Sequence, residues 1–136
     1  MRKLLHVLVF LMAWDAAEAQ RVTLTAITSG FALPTATVSL TFTAADAVNK
    51  NALTMTGDRN DYLIVYNSGA GSRNTTVTSV ADPNTGRTGD QTYTIGAGLF
   101  LILGPFPLDG WRQSSDGKLY FEGEHAEVKF AHVRIR

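Results

Sequence analysis

Short runs of alternating apolar and polar residues dominate the chain from Arg21 onward. The stretch TATVSLTFTA places Val38, Leu40 and Phe42 on one face and hydroxyl side chains on the other, which is the pattern of a half-buried strand. RVTLTAIT alternates in the same way. Threonine, valine, isoleucine and aromatic residues fill these runs, and Gly, Asn, Asp and Pro separate them. The pattern predicts β-strands joined by turns.

Two runs, DYLIVYN and LFLIL, are continuously apolar and predict strands covered on both faces. QTYTI and KLYFEG predict further strands, and Asp116-Gly117 predicts a tight hairpin that pairs KLYFEG with the segment before it. The final run, EVKFAHVRIR, changes phase: Val128 and Phe130 share one face, whereas Val133 and Ile135 share the other. This change predicts either a β-bulge near Ala131-His132 or a strand covered on both faces.

Together these runs predict an all-β protein. We expect a single antiparallel β-sandwich or jelly roll of about eight strands over residues 21–136, after an apolar N-terminal segment at 1–20. The residues predicted to form its core are Val38, Leu40, Phe42, Leu63, Val65, Leu101, Leu103 and Phe130.

The N-terminal segment has the features of an export signal. Arg2 and Lys3 precede an apolar run from Leu4 to Trp14, and Ala17 and Ala19 supply small residues at a possible cleavage site. A stable membrane anchor is not expected, because spanning a bilayer takes roughly 20 apolar residues. Two other interpretations stay open: a true start at Met12, and an apolar arm that docks on another protein.

Composition narrows the function classes. The chain has 12 Lys and Arg residues and 12 Asp and Glu residues, so its net charge is zero. A nucleic-acid partner is not expected, because such a partner requires an excess of positive charge. The sequence contains no cysteine, which excludes disulfides, thiolate metal sites and a cysteine nucleophile.

Two polar clusters have ligand types that suit a divalent cation, although an ordinary solvated turn explains each of them better. One lies in the loop DPNTGRTGD and the other in EGEHAE. The weak candidate ligands are Asp82, Asn84, Asp90, Glu122, Glu124 and His125. The spacing in DPNTGRTGD does not match an EF-hand loop, and strand geometry turns His125 away from Glu122 and Glu124, so we predict no metal and no cofactor.

No catalytic residues are predicted. No serine lies in a G-x-S-x-G elbow, and scattered Ser, His and Asp residues occur in any chain of this size. The aromatic residues can form a sugar-stacking platform, but a sandwich needs most of them in its core. Trp111, in an irregular loop, is predicted either to plug one end of the sandwich or to anchor an interface.

The layout of residues 21–136 resembles small β-sandwich head decoration, or cement, proteins of tailed bacteriophages. The motifs that carry the resemblance are Asn67-Ser68-Gly69 after an apolar strand, Gly104-Pro105-Phe106-Pro107, and the Asp116-Gly117 turn. The resemblance implies a non-enzymatic virion protein, assembled in the host cytoplasm, that binds the major capsid protein or copies of itself. It also implies a homo-oligomer, with a trimer favoured.

The N-terminal segment departs from this family, because a virion protein needs no export signal. Under the phage interpretation, its apolar side chains form an arm that contacts a neighbouring subunit. The predicted interface residues are Leu4, Leu5, Val7, Leu8, Phe10, Leu11 and Trp111. The alternative is an exported bacterial β-sandwich, with residues 1–19 as signal peptide, that serves as a surface or filament subunit or a carbohydrate-binding module.

Overall fold

The computed structural model of the protein describes residues 20–29 and 39–135. All regular structure in these two ranges is β-strand. The strands are β1 (Val22–Leu24), β2 (Ala26–Ser29), β3 (Thr43–Ala44), β4 (Asn51–Thr54), β5 (Asp61–Asn67), β6 (Arg73–Thr78), β7 (Gln91–Ile95), β8 (Phe100–Leu103), β9 (Lys118–Gly123) and β10 (Val128–Ile135). The same residues include no helix long and apolar enough to cross a membrane.

The strands form two five-stranded sheets. Sheet I has the order β1-β4-β9-β6-β7, and sheet II has the order β2-β10-β5-β8, with β3 also paired to β10. The predicted all-β sandwich is confirmed. Two pairings, β1 with β4 and β2 with β10, are parallel, so the sheets are mixed rather than purely antiparallel.

The parallel pairings arise because one extended segment serves both sheets. RVTLTAIT, predicted as one strand, contributes β1 to sheet I, breaks at Thr25, and continues as β2 in sheet II. Leu24 is buried in the core, whereas Val22 is 37% exposed, although an alternating strand would place both side chains on the same face. The segment therefore crosses the edge of the sandwich, which a simple alternating strand would not do.

The prediction for TATVSLTFTA is wrong in part. Only Thr43 and Ala44 form a strand in the described part of this stretch, and Val38 lies outside the described residues. Leu40, predicted to be core, is 43% exposed. Phe42 is half-buried and contacts the rings of Tyr66 and Phe100 rather than the space between the sheets.

The core between the sheets confirms most of the other predicted positions. Leu63, Val65 and Phe130 are fully buried, Leu103 is nearly so, and Leu101 packs at the margin of the same cluster. Phe121 of sheet I meets Phe130 of sheet II edge to face, with ring centroids 4.7 Å apart. This contact joins the inner faces of the two sheets.

The phase change in the last strand is not a bulge. β10 pairs with β5 one residue to one residue from Val128 through Arg134. The inward face is instead continuous, and it changes from apolar side chains at Val128 and Phe130 to polar ones at His132 and Arg134. Polar residues therefore occupy positions that the apolar pattern assigned to solvent.

Asn67, in the motif that follows β5, is fully buried and has a structural role. Its side-chain amide donates to the carbonyl oxygens of Gly71 and Ile95, and its Oδ1 accepts from the Gly69 N–H. Because Ile95 ends β7, this single side chain ties sheet II to sheet I. Buried polar groups that are fully hydrogen-bonded in this way specify one arrangement of the surrounding loops.

The hairpin predicted at Asp116-Gly117 is wrong as a strand pairing. The turn exists, with Gly117 at φ 72° and Gln113 accepting its N–H, but the residues before it form turns rather than a strand. β9 pairs instead with β4 and β6. Turn chemistry identified the local bend but not the partners of the strand that follows it.

Candidate functional site: a buried ion cluster and an apolar outer face

An ion cluster lies buried at one end of the sandwich. Asp61, which begins β5, is fully buried, and its Oδ1 accepts from Arg134 Nε at 2.8 Å. The same oxygen lies 2.7 Å from His132 Nε2. Arg134 also donates through Nη2 to the carbonyl oxygen of Thr54 at 2.6 Å, which connects the cluster to sheet I. A buried carboxylate of this kind is tolerable only because cationic and N–H donors surround it.

His132 is the neutral member of this cluster. It is 1% exposed, and burial is the main cause that lowers its pKa, with the Arg134 charge adding to the effect. The Asp61 carboxylate acts in the opposite direction, but desolvation of the imidazolium outweighs it. With Nε2–H directed at Asp61, Nδ1 has no hydrogen-bond partner among the described residues.

We expect stability to fall as the pH is lowered below about 6.5, the usual pKa of histidine in an unfolded chain. In that range the unfolded state binds a proton at His132 that the folded state does not, so acid favours unfolding by up to about 1.4 kcal/mol per pH unit. Urea unfolding between about pH 7.5 and 5 measures this slope. His132→Gln should flatten it, whereas the same change at the exposed His125 should not. Equal slopes in both variants would contradict this assignment.

A cavity of about 280 Å³ borders His132 where the chain crosses from β1 to β2. Its walls are otherwise threonine and aliphatic side chains: Thr23, Leu24, Thr25, Ile27, Thr41 and Thr43. Among the residues that form these walls, His132 is the only titratable side chain.

The candidate ligands Glu122, Glu124 and His125 of EGEHAE do not converge. Glu122 forms an ion pair with Lys50 at 2.8 Å, and Glu124 accepts from Asn74 Nδ2. His125 Nδ1 accepts the Glu127 N–H, and Glu127 in turn binds Arg73, which lowers the pKa of that carboxyl.

The loop DPNTGRTGD separates its acidic residues as well. Asp82 Oδ1 accepts the N–H groups of Asn84 and Thr85, and interactions with the Thr85 side chain and the Asn84 N–H lower the pKa of Asp82. Asp90 caps a different segment by accepting the Ser79 N–H. The carboxylates therefore stabilise turns, and residues 20–29 and 39–135 contain no group of three or more ligating side chains that could hold a metal ion.

We therefore expect EDTA to leave the melting temperature unchanged. A metal that binds only the folded state would raise its apparent stability, so chelation would lower it. Differential scanning fluorimetry with and without EDTA, followed by added calcium or zinc, tests this. A melting temperature that drops in EDTA and recovers with either ion would contradict the prediction.

Trp111 lies at the margin of the core. Its ring meets Phe106 of the Gly-Pro-Phe-Pro motif edge to face, with centroids 5.4 Å apart, and the Arg87 guanidinium lies 4.4 Å from its centroid. Phe106 is itself buried. These contacts favour the plug interpretation, and the guanidinium occupies a ring face that a sugar would need for stacking.

The most unusual surface is the outer face of sheet II, formed by Phe42, Ile64, Tyr66, Phe100 and Ile102. Tyr66 lies opposite Phe100, and Ile64 opposite Ile102, on the side of the sheet away from the core. Phe100 is 59% exposed and Ile102 65% exposed. Tyr66 and Phe100 stack with centroids 4.3 Å apart, and Phe42 lies 5.9 Å from each.

This outer face is almost free of charge. Among the described strand residues that point to it, Lys129, opposite Tyr66, is the only charged one. Leu99, next to β8, is also 59% exposed. A contiguous, exposed, aromatic and aliphatic surface of this kind is typical of a protein-contact site rather than of ordinary solvent-facing sheet.

The sequence-based predictions missed both features for identifiable reasons. The run LFLIL predicts a strand covered on both faces, whereas it forms the edge strand β8 with one face open. The phase change in β10 was the available signal for the buried cluster. Of the predicted interface residues, Trp111 lies as described above, and Leu4, Leu5, Val7, Leu8, Phe10 and Leu11 lie outside the described residues.

Comparison of the chain with protein-family models, with curated proteins and with solved structures finds no match in any of the three.

Proposed function

We propose that this protein is a non-enzymatic structural protein of a virion, which binds the outside of a phage capsid and stabilises it. The observation that carries the proposal is the exposed apolar outer face of sheet II. Burial of such a surface contributes roughly 25 cal/mol per Å² to association, before the costs of binding.

The rest of the molecule supports a scaffold role. Two sheets enclose one core. Residues of the motifs that resemble the decoration proteins have structural roles, since Asn67 ties the sheets together and Phe106 is buried against Trp111. A rigid body presents a contact face at a low entropic cost of binding. The titratable residues of the described acidic clusters stabilise turns and ion pairs, which suits a protein that works by contact.

The second candidate is an exported surface or filament subunit, and the observation that favours it is the apolar run from Leu4 to Trp14 before Ala17 and Ala19. The same outer face would then contact neighbouring subunits. The mass of the native protein distinguishes the two. A chain that begins at Gln20 supports export, whereas one that begins at Met1 or Met12 supports the virion protein.

The capsid proposal is tested by co-sedimentation with capsids assembled from the major capsid protein encoded nearest to this gene. We expect the wild-type protein to sediment with the capsids and to raise their melting temperature. Phe100→Lys places a charge in the outer face and should abolish both effects. Val48→Lys makes a similar change at a residue that is 80% exposed in the turn between β3 and β4, and should preserve them.

Failure of the wild-type protein to bind capsids would overturn the proposal. Equal binding by the Phe100→Lys variant would retain a capsid role but remove the outer face from it. Circular dichroism of both variants checks that the sandwich is still folded.

A further inference from the structure

We propose that a second copy of this chain pairs with the first along β8, so that two copies of sheet II form one continuous sheet around a two-fold axis. This inference goes beyond capsid binding, because it concerns the isolated protein in solution. It is carried by the geometry of the β8 edge, by the absence of charge around it, and by its symmetry.

β8 is an open edge. It pairs with β5 on one side and is the last strand of sheet II on the other. The N–H of Asn67 donates to the carbonyl oxygen of Leu99, so the alternation of an antiparallel ladder turns the backbone of Leu101 and Leu103 toward β5. The N–H and C=O groups of Phe100 and Ile102 therefore point outward, away from β5.

Nothing in β8 blocks a partner strand. Soluble proteins protect edge strands with lysine, proline or a bulge, yet β8 reads FLIL, and no charged residue occurs from Gln91 to Leu108. The edges of sheet I differ. At the β1 edge, Lys118 Nζ donates a hydrogen bond to the Thr23 hydroxyl at 3.0 Å. At the β7 edge, the side chains of Thr92 and Thr94 are exposed.

A second copy is the partner that fits this edge. The edge carries no charge, so two identical edges meet no like-charge repulsion, and their apolar side chains are complementary to one another. Copies with zero net charge meet no long-range repulsion when they approach. The exposed side chains of Phe100 and Ile102 also lie on the outer face, so pairing places the two outer faces side by side.

One two-fold register pairs both outward residues of β8 with outward residues of the partner's β8. A two-fold axis beside Leu101 sets Phe100 opposite the partner's Ile102, and Ile102 opposite the partner's Phe100. These are the residues whose backbone groups point outward, so each pair exchanges N–H···O=C hydrogen bonds in both directions. The dimer would then present a contact surface twice as wide as that of one copy.

The test is the molar mass of the full chain by light scattering and sedimentation across a range of concentrations. We expect a monomer–dimer equilibrium. Ile102→Pro, which removes an outward N–H while adding no charge, should weaken dimerisation by about tenfold or more. Ile102→Lys should do the same, and Val48→Lys should leave the dimer unchanged.

Amide hydrogen exchange tests the pairing along the β8 edge without any substitution. The amides of Phe100 and Ile102 should be protected in concentrated solution and should exchange faster on dilution, while the amides of Leu101 and Leu103 should stay protected at both concentrations. A strictly monomeric protein would overturn the proposal, as would a trimer. A dimer that both Ile102 variants leave intact would also overturn it. None of these results depends on capsids, so failure here is separate from failure of the proposed function.

Discussion

Replacing Asp61 with asparagine is expected to lower the free energy of unfolding by about 3–5 kcal/mol, because the change leaves a buried cation without its counterion. Arg134 is 9% exposed, and its Nε lies 2.8 Å from the carboxylate oxygen that would be lost. The shape of the side chain is retained, so the effect reports the charge rather than a cavity. Urea unfolding at pH 7.5 or so measures it.

The matched control is Asp58→Asn, since Asp58 is exposed and its nearest cation, Arg59, lies 3.8 Å away at the surface. That change should cost no more than about 0.5 kcal/mol. Adding Arg134→Gln to Asp61→Asn should recover part of the loss, because it removes the unpaired charge. If the free energy of unfolding of the Asp61→Asn variant lies within about 1 kcal/mol of the wild-type value, the cluster does not behave as a buried ion pair.

Replacing Phe130 with alanine is expected to cost about 3–5 kcal/mol, and Leu63→Ala about 2–5 kcal/mol. Both residues are fully buried, and Phe130 lies edge to face with Phe121 across the two sheets. Truncation removes apolar surface from the core and leaves a cavity that the facing sheet cannot fill.

Leu99→Ala is the control, since this leucine is 59% exposed and should change stability by about 0.5 kcal/mol or less. The comparison uses equilibrium denaturation with the slope of the transition monitored, because a changed slope would signal altered unfolded or native states. A loss below about 1 kcal/mol at both Leu63 and Phe130 would place them outside the core.

Fold class was predictable because the sequence repeats the same period in many short runs. Leu63, Val65 and Phe130 alternate with outward residues as expected for inner faces of sheets. Strand partners were not predictable in this way. RVTLTAIT has one alternation, yet it enters two sheets, since the break at Thr25 depends on where β4 and β10 lie in space.

The candidate surface was only partly predictable. An apolar run such as LFLIL is compatible with a central strand and with an edge strand that has an exposed apolar outer face. Only the strand order distinguishes the two. The buried cluster is still harder to predict from the sequence. Asp61 is distant in sequence from His132 and Arg134, and all three are residue types that ordinarily lie at the surface. The phase change in β10 indicated an irregularity there but not the ion pair that explains it.

The position of β10 has a consequence for biosynthesis. β10 is the last strand along the chain, yet it lies between β2 and β5 at the centre of sheet II. A ribosome therefore completes β5 and β8 before the strand that joins them to β2 exists. Until residues 128–135 emerge, the inner residues Leu63 and Val65 and the outer residues Phe100 and Ile102 have no assembled sheet to hold them. Sheet II is therefore expected to assemble only once residues 128–135 are available, and products that end before Val128 are expected to aggregate through these exposed strands.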